Sequence, residues 1–108
     1  MNSEILIVGD MTINQFCRTV HIDDTLISLT SNDFDLLWKL ALRVNQTVSR
    51  DELFRDLLNT DYDGLDRCID IRISRLRKKL EDNGRQPCII KSIRSEGYRL
   101  VEANHLTP

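Results

Sequence analysis

The sequence is poor in the residues that build disulfide frameworks, metal centres and flexible chains. Its 108 residues include three cysteines, two histidines, four glycines and two prolines. Because Cys17, Cys68 and Cys88 are an odd, widely spaced set without a Cys-x-x-Cys pair, we predict neither disulfides nor a zinc site, and no cofactor. Low glycine and proline content, with 41% apolar and 30% charged residues, argues against disorder and low-complexity sequence.

Long apolar runs and targeting signals are also missing. No stretch approaches the roughly 18 residues of a membrane-spanning helix, and residues 1–4 lack the basic start of a signal peptide. The length fits one domain, and the chain shows no internal repeat or linker. We therefore predict a single soluble, intracellular domain over residues 1–108, ordered over about 4–102 and without a membrane partner.

The formal net charge of −2 hides an asymmetry between the two parts of the chain. Residues 1–66 carry five Lys or Arg against twelve Asp or Glu, a net charge of −7. Residues 67–108 carry ten Lys or Arg against five Asp or Glu, a net charge of +5. This segregation favours an anionic partner for the basic part.

Short alternating segments occupy the first 29 residues. They predict four strands near residues 5–8, 11–13, 19–22 and 26–29, with turns at Gly9-Asp10 and Asp23-Asp24. Turns about every eight residues are typical of a small antiparallel sheet.

A helical period begins at Thr30, which we predict to be the N-cap of a first helix. Asp33 supplies a short version of the capping-box acid, and apolar residues continue at helical spacing to Val44. Trp38 is expected in the core, and Asn45 with Gln46 is expected to end the helix.

A second helix is predicted from Ser49, after residues 47–48 as a short extended link. Ser49 and Glu52 have the spacing of a full capping box, in which the hydroxyl accepts from the backbone and the carboxylate reaches back. An eight-residue loop with three acids follows over residues 59–66, and its Asp66 is also a candidate cap for the next helix.

The third helix, over about 67–82, is the most informative segment. Its core stripe is predicted to be Ile69, Ile73, Leu76 and Leu80, which share one narrow face. Asn83-Gly84 is a predicted helix stop. The opposite face is predicted to hold Arg67, Asp70, Ile71, Ser74, Arg75 and Lys78, with Arg72, Arg77 and Lys79 on the flanks.

A basic helix face is usually just a solvated face, but three features here favour a ligand. Asp70 is a single acid among many cations, and Ile71 is a large apolar residue in the middle of the polar face. Such an apolar group can pack on a thymine methyl, and arginine can take two acceptors of guanine in the major groove. A predicted hairpin of residues 88–93 and 98–101 follows, and its connection contains Arg94, as in a helix-turn-helix unit with a wing.

Several motifs in order resemble the DNA-binding effector domain of OmpR/PhoB-type response regulators, closest to the RstA-like branch. The resemblance runs from about residue 5 to 101 and is carried by LTSNDFDLLW (29–38), SRDEL (49–53), YDGLDR (62–67), DIRISRLRKKL (70–80) and RSEGYR (94–99). It implies an α+β winged helix-turn-helix: a four-stranded N-terminal antiparallel sheet, three helices and a C-terminal wing hairpin.

The resemblance also implies a role for each matching position. The base-contacting positions match Asp70, Ile71 and Arg75, and the arginine that enters the minor groove matches Arg94. The positions on the phosphate side match Arg67, Cys68, Arg72, Ser74, Arg77, Lys78, Ser92 and Tyr98. The loop that contacts RNA polymerase in the family matches Asp61, Tyr62, Asp63 and Gly64.

Four residues depart from the family pattern. Ser95 stands where the wing usually has glycine, and Glu96 places a carboxylate beside Arg94. Cys68 replaces a common hydroxyl, and Asp33 shortens the usual capping glutamate.

The family implies partners beyond this sequence. They are promoter DNA with tandem direct repeats, a second copy bound head-to-tail, RNA polymerase, and a receiver domain with its sensor histidine kinase. A receiver domain does not fit within these 108 residues, so we expect an excised effector domain. The expected location is the bacterial cytoplasm, with association to the nucleoid when DNA is bound.

Two other functions compete with transcription regulation by DNA binding. The acidic residues 1–66 and Glu96 are compatible with a winged helix that binds proteins and has little or no affinity for DNA. An enzyme is not predicted, because the sequence has no glycine-rich phosphate loop, no metal cluster and no neighbouring Cys/His pair.

Overall fold

A four-stranded antiparallel sheet begins the fold in the computed structural model, which describes residues 5–81 and 88–102. Its strands, in spatial order, are β1 (Ile5–Val8), β2 (Met11–Asn14), β3 (Thr19–Ile22) and β4 (Thr25–Ile27). Side chains alternate along them, so that Met11 and Ile13 are fully buried while Thr12 and Asn14 are partly exposed. The predicted four-stranded sheet is confirmed.

Helix α1 (Ser31–Ala41) begins with the predicted capping box. The Thr30 hydroxyl accepts from the Asp33 backbone nitrogen at 3.1 Å, and the Asp33 carboxylate accepts from the Thr30 nitrogen at 3.1 Å. The helix ends at Ala41, several residues before the predicted end. Asn45 has a left-handed φ of 66° and donates its backbone N–H to the Leu100 oxygen at 2.7 Å, so residues 42–46 form a turn against the last strand.

Helix α2 (Arg50–Leu58) carries only half of the predicted capping box. The Ser49 hydroxyl accepts from the Glu52 nitrogen at 3.1 Å, as predicted. The Glu52 carboxylate does not reach back, because it binds Lys39 Nζ at 2.8 Å and Arg43 at 2.6 Å on α1. The acid therefore joins two helices, and the prediction of a full box is wrong.

Helix α3 (Cys68–Glu81) buries the predicted stripe. Ile69, Ile73 and Leu76 have no exposed surface, and Leu80 is 4% exposed. Asp66 accepts from the Cys68 nitrogen at 2.8 Å and satisfies one of the free N–H groups at the helix start. The predicted stop at Asn83-Gly84 lies outside the described residues.

A second, three-stranded sheet replaces the simple hairpin that the sequence predicted. It contains β5 (Thr47–Ser49), β6 (Cys88–Ile93) and β7 (Gly97–Glu102) in the order β5-β7-β6, all antiparallel. The link predicted at residues 47–48 is thus a strand. Gly97 permits this pairing, since a Cβ there would collide with the Val48 carbonyl oxygen and lie 2.8 Å from Ser49 Cα.

Two polar contacts between residues far apart in the chain join α1 to α3 and the first sheet to the second. Lys79 Nζ on α3 lies 2.5 Å from the Asp33 carboxylate at the start of α1. Burial alone would raise the pKa of Asp33, but hydrogen bonds from Lys79 and Thr30 lower that pKa below its ordinary value. The Gly9 nitrogen, in the β1–β2 turn, donates to the Glu102 carboxylate of β7 at 2.9 Å and so joins the two sheets.

The elements form a winged helix-turn-helix. Helix α2, the loop over residues 59–67 and α3 make up the helix-turn-helix unit, and the β6–β7 hairpin is the wing. Within residues 5–81 and 88–102, no helix combines the length and apolar content needed to cross a membrane.

Candidate nucleic-acid interface

The face of α3 opposite the buried stripe is basic and exposed. Ile71 lies within this face and is 51% exposed, although the other isoleucines of α3 are fully buried. The exposed members of the face are Arg67, Ile71, Ser74, Arg75 and Lys78, and Arg72 is half-buried on the flank. The structure therefore brings most of the predicted contact residues of α3 onto one surface.

An open groove of about 520 Å³ runs beside the N-terminal half of this helix. One wall is the start of α1, with Thr30 and Asn32, and the other is α3. The α3 wall contributes Arg67, Cys68, Ile71, Arg72 and Arg75. Two acids, Asp33 and Asp66, also line the groove. The three arginines outnumber them, and together with the N-termini of two helices they leave the groove electropositive and favour a bound anion.

Asp70 differs from the other predicted base-contacting residues because its carboxylate is bound within the protein. Its side chain is 15% exposed. Oδ1 accepts from Arg50 Nε at 3.0 Å and from the Tyr98 hydroxyl, and Oδ2 lies 3.2 Å from Arg67 Nε. A cytosine amino group would have to displace one of these donors to reach the carboxylate.

Ionisation of the Asp70–Tyr98 pair is set by this environment. Burial alone would raise the pKa of Asp70, but hydrogen bonds from Tyr98 and Arg50 lower that pKa below its ordinary value. Burial and the hydrogen bond to Asp70 raise the pKa of the Tyr98 phenol. At neutral pH the carboxylate is therefore charged and the phenol is a hydrogen-bond donor.

Three residues predicted on the phosphate side are also bound to one another or to the wing. Arg77 donates to the Ile90 carbonyl at 2.6 and 2.9 Å and to the Ser92 hydroxyl at 2.9 Å. Tyr98 is 4% exposed, and the centroid of its ring lies 4.8 Å from the guanidinium carbon of Arg50 and 5.8 Å from that of Arg77. Arg77 thus links α3 to strand β6.

The wing turn leaves its side chains accessible. Arg94, Ser95 and Glu96 are all exposed, and the Glu96 nitrogen closes the turn by donating to the Ile93 oxygen at 2.9 Å. Ser95 has a left-handed φ of 64°, the conformation that glycine adopts most readily. The serine therefore keeps a glycine-like backbone at the position where it departs from the family pattern.

The loop between α2 and α3 presents acids around an anchored tyrosine. Tyr62 is half-buried, and its ring lies 4.8 Å from that of Phe54. Asp63 accepts from the Leu65 and Asp66 nitrogens at 2.8 and 2.9 Å, and these bonds lower its pKa. Asp61, Asp63 and Gly64 are exposed, and Leu65 at the tip is 82% exposed.

Arg50 is the residue of this region that sequence analysis missed. It is the first residue of α2, where the helix dipole disfavours a cation. That unfavourable position was the available signal, because a cation there needs a specific partner. Its partners are Asp70 and Tyr98, which lie 20 and 48 residues away in the chain.

No group of three or more His, Cys, Asp or Glu side chains in the described part of the chain is arranged to hold a metal ion. Cys17 is exposed and Cys68 half-buried, both as free thiols.

Solved DNA-binding domains of two regulators are similar to this chain over nearly its whole length. The DNA-binding domain of RstA from Klebsiella pneumoniae, solved in complex with the RstA box, has a TM-score of 0.83 and 40% identity. That match covers 92% of this chain and 98% of the other. The DNA-binding domain of CpxR from Escherichia coli has a TM-score of 0.81 and 34% identity, covering 94% of this chain and 99% of the other.

Sequence comparisons give the same relationship. The family model described as "Transcriptional regulatory protein, C terminal" matches residues 24–100. The transcriptional regulatory protein RstA of Escherichia coli K12 is 49% identical over 90 residues, which are 83% of this chain and 38% of RstA. The chain thus spans about two fifths of the length of the curated relatives it matches. It belongs to the family of C-terminal domains of transcriptional regulatory proteins, as an effector domain of the OmpR/PhoB type.

Proposed function

We propose that this domain binds double-stranded DNA sequence-specifically and is the output domain of a response regulator that controls transcription. The observation that carries the proposal is the exposed basic face of α3, with Ile71 at its centre and the apolar stripe buried behind it. A face of this shape fits the major groove, which admits one α-helix. The complex of the related Klebsiella domain with its DNA box supports this reading.

Base reading is assigned in this proposal to Ile71 and Arg75. Both are exposed and one helical turn apart, so they reach neighbouring base pairs. Ile71 packs on a thymine methyl, and the Arg75 guanidinium binds the two acceptors of a guanine. Asp70 is the third predicted base contact, but its carboxylate is already bound by Arg50, Tyr98 and Arg67.

Phosphate contacts are assigned to the exposed and half-buried groups around these two residues. The electropositive groove holds one DNA strand, and the wing places Arg94 in the minor groove, where negative potential is strongest when the groove is narrow. The assigned residues are Arg67 just before α3, then Cys68, Arg72, Ser74, Arg77 and Lys78 on α3, with Ser92 on strand β6.

We extend the proposal to the partners that the family implies. Two copies bind head-to-tail on tandem direct repeats, and the loop residues Asp61, Tyr62, Asp63 and Gly64 contact RNA polymerase. The acids of this loop are exposed around an exposed Leu65. They are complementary to a basic protein surface that contains a small apolar pocket for the leucine. Phosphorylation by a sensor kinase acts through a receiver domain on the full-length protein.

Selection of duplexes from a genomic pool, followed by a salt titration, tests the DNA-binding proposal. We expect enrichment of direct repeats about one helical turn apart. Log affinity for the winning duplex should fall linearly with log salt concentration. Each phosphate contact should contribute about −0.9 to the slope of that line. A folded domain that enriches no sequence and shows no salt dependence would instead favour a protein-binding winged helix.

Alkylation of Cys68 tests the phosphate side of the site. In a Cys17→Ser/Cys88→Ser protein, N-ethylmaleimide should lower affinity for the selected duplex by at least about fivefold, the scale of one lost interface contact. The physical reason is that the half-buried thiol lines the groove, where the added group occupies the space of the DNA strand. Circular dichroism should stay unchanged.

The control for this test is Cys68→Ser in the same Cys17→Ser/Cys88→Ser protein, which should bind equally before and after treatment. If complete modification of Cys68 leaves affinity unaltered, the thiol does not lie in the interface.

A further inference from the structure

We propose that Arg50, Asp70 and Tyr98 form a positioning triad that sets the wing relative to α3, and that Asp70 does not read a base. This inference rests on the proposed function, since the purpose of the triad is to place Arg94 and α3 on the same duplex. It assigns Asp70 and Tyr98 roles behind the interface, in place of direct DNA contacts.

The triad joins three separate parts of the fold. Arg50 begins α2 directly after β5, Asp70 lies in the first turn of α3, and Tyr98 lies on β7, the central strand of the wing sheet. Arg50 donates to Asp70 at 3.0 Å and to the Tyr98 oxygen at 3.2 Å, and the Tyr98 hydroxyl donates to Asp70. Each member therefore contacts the other two.

The neighbours of Tyr98 extend this connection to the tip of the wing. Tyr98 pairs in register with Val48 on one side and Ser92 on the other, and Arg77 bonds Ser92 from α3. Arg94 lies between Ser92 and Tyr98 along the chain, within the short turn that joins β6 to β7. A shift of Tyr98 against α3 therefore moves the arginine proposed for the minor groove.

Burial and charge explain why the triad suits positioning better than readout. Tyr98 is 4% exposed, and the Asp70 side chain is 15% exposed with donors on both oxygens. Withdrawing this carboxylate to bind a cytosine would leave the buried phenol without its acceptor and Arg50 without its counter-charge. Ile71 and Arg75 are exposed and need no such rearrangement.

A double-mutant cycle between Tyr98→Phe and Arg94→Ala tests the proposal on the selected duplex. Arg94→Ala should lower affinity about tenfold, the scale of a single well-placed contact. Tyr98→Phe, which removes only the hydroxyl, should lower affinity about fivefold with the native wing but less than about twofold when Arg94 is already alanine. A loss that depends on Arg94 shows that the Tyr98 hydroxyl acts through the wing. General destabilisation would lower the affinity equally in both backgrounds.

Asp70→Asn tests the second half of the proposal. Its base preference at every position of the half-site should match that of the parent protein. Asp35→Asn is the matched control, because it also removes a carboxylate paired with an arginine, Arg18 at 2.6 Å, and adds the same unit of net charge. A loss of preference at one base pair in Asp70→Asn alone would show that Asp70 reads a base and would overturn the proposal.

The remaining outcomes are distinguishable from failure of the proposed function. Equal losses from Tyr98→Phe in both backgrounds, or no loss from Arg94→Ala in a protein that binds its duplex, would also overturn the triad's role. If the parent protein binds no duplex, the proposed function fails. The triad is then tested by amide residual dipolar couplings, which should report a changed orientation of β6–β7 relative to α3 in Tyr98→Phe and none in Asp35→Asn.

Discussion

Replacing Arg75 by alanine is expected to lower affinity for the selected duplex by roughly 1–3 kcal/mol and to relax the preference at one base pair. Within the described ranges, the Arg75 side chain has no hydrogen-bond or ion-pair partner, so its guanidinium is available to a guanine. The measurement is a comparison of affinities for the selected duplex and for single-base variants of it.

Lys78→Ala is the matched control for this prediction. It also removes one exposed cation from α3, but from a position assigned to phosphate. We expect it to weaken binding to all sequences alike and to reduce the salt slope by about one. If Arg75→Ala and Lys78→Ala behaved identically on specific and random duplexes, the assignment of base reading to Arg75 would be wrong.

Gly97→Ala is expected to destabilise the fold by about 3–5 kcal/mol, near the upper end for point substitutions. The added Cβ would collide with the Val48 carbonyl oxygen and press on Ser49 Cα, and both are backbone atoms that cannot rotate away. Relief requires β5 to separate from β7. Thermal unfolding followed by circular dichroism should show a midpoint lowered by more than about 10 °C.

Gly64→Ala is the control that separates a collision of the new Cβ with neighbouring backbone from the strain of a positive φ. Gly64 has a φ of 86°, but a Cβ there would meet no atom within 4 Å. Only the conformational strain remains, which costs roughly 1–2 kcal/mol. A Gly97→Ala protein no less stable than Gly64→Ala would mean that the backbone of Val48 and Ser49 does not lie against Gly97.

Periodic segments were predicted well because one face of each element is buried. The α3 stripe from Ile69 to Leu80 follows directly from helical spacing, and so does the alternation in the first sheet. The strand Thr47–Ser49 escaped prediction because three residues carry no period, and its pairing depends on Gly97, distant in sequence. Helix α1 was predicted too long because Val44 continues the apolar spacing although the chain has already turned.

The sequence predicts which residues share the exposed face of α3, but it does not predict which side chains bind one another across the fold. Helical spacing alone places the cations of α3 and the exposed Ile71 on one face, since these residues lie within one helix. Two of the three partners of Asp70, Arg50 and Tyr98, lie 20 and 28 positions away, and no local pattern encodes such pairs. For this reason the sequence gives no sign of the partners that Asp70 and Tyr98 have within the protein, or of the bonds from Arg77 to strand β6.

The bond between Gly9 and Glu102 has a consequence for engineering of the domain. It places the end of β1 beside the end of β7, although the two residues are 93 positions apart. Strand β1 has only four residues, about 13 Å at roughly 3.3 Å per residue, so a short peptide could join residue 102 to residue 5. A circularly permuted chain could then open at the exposed tip near Gly64, leaving α3 and the wing on one uninterrupted segment.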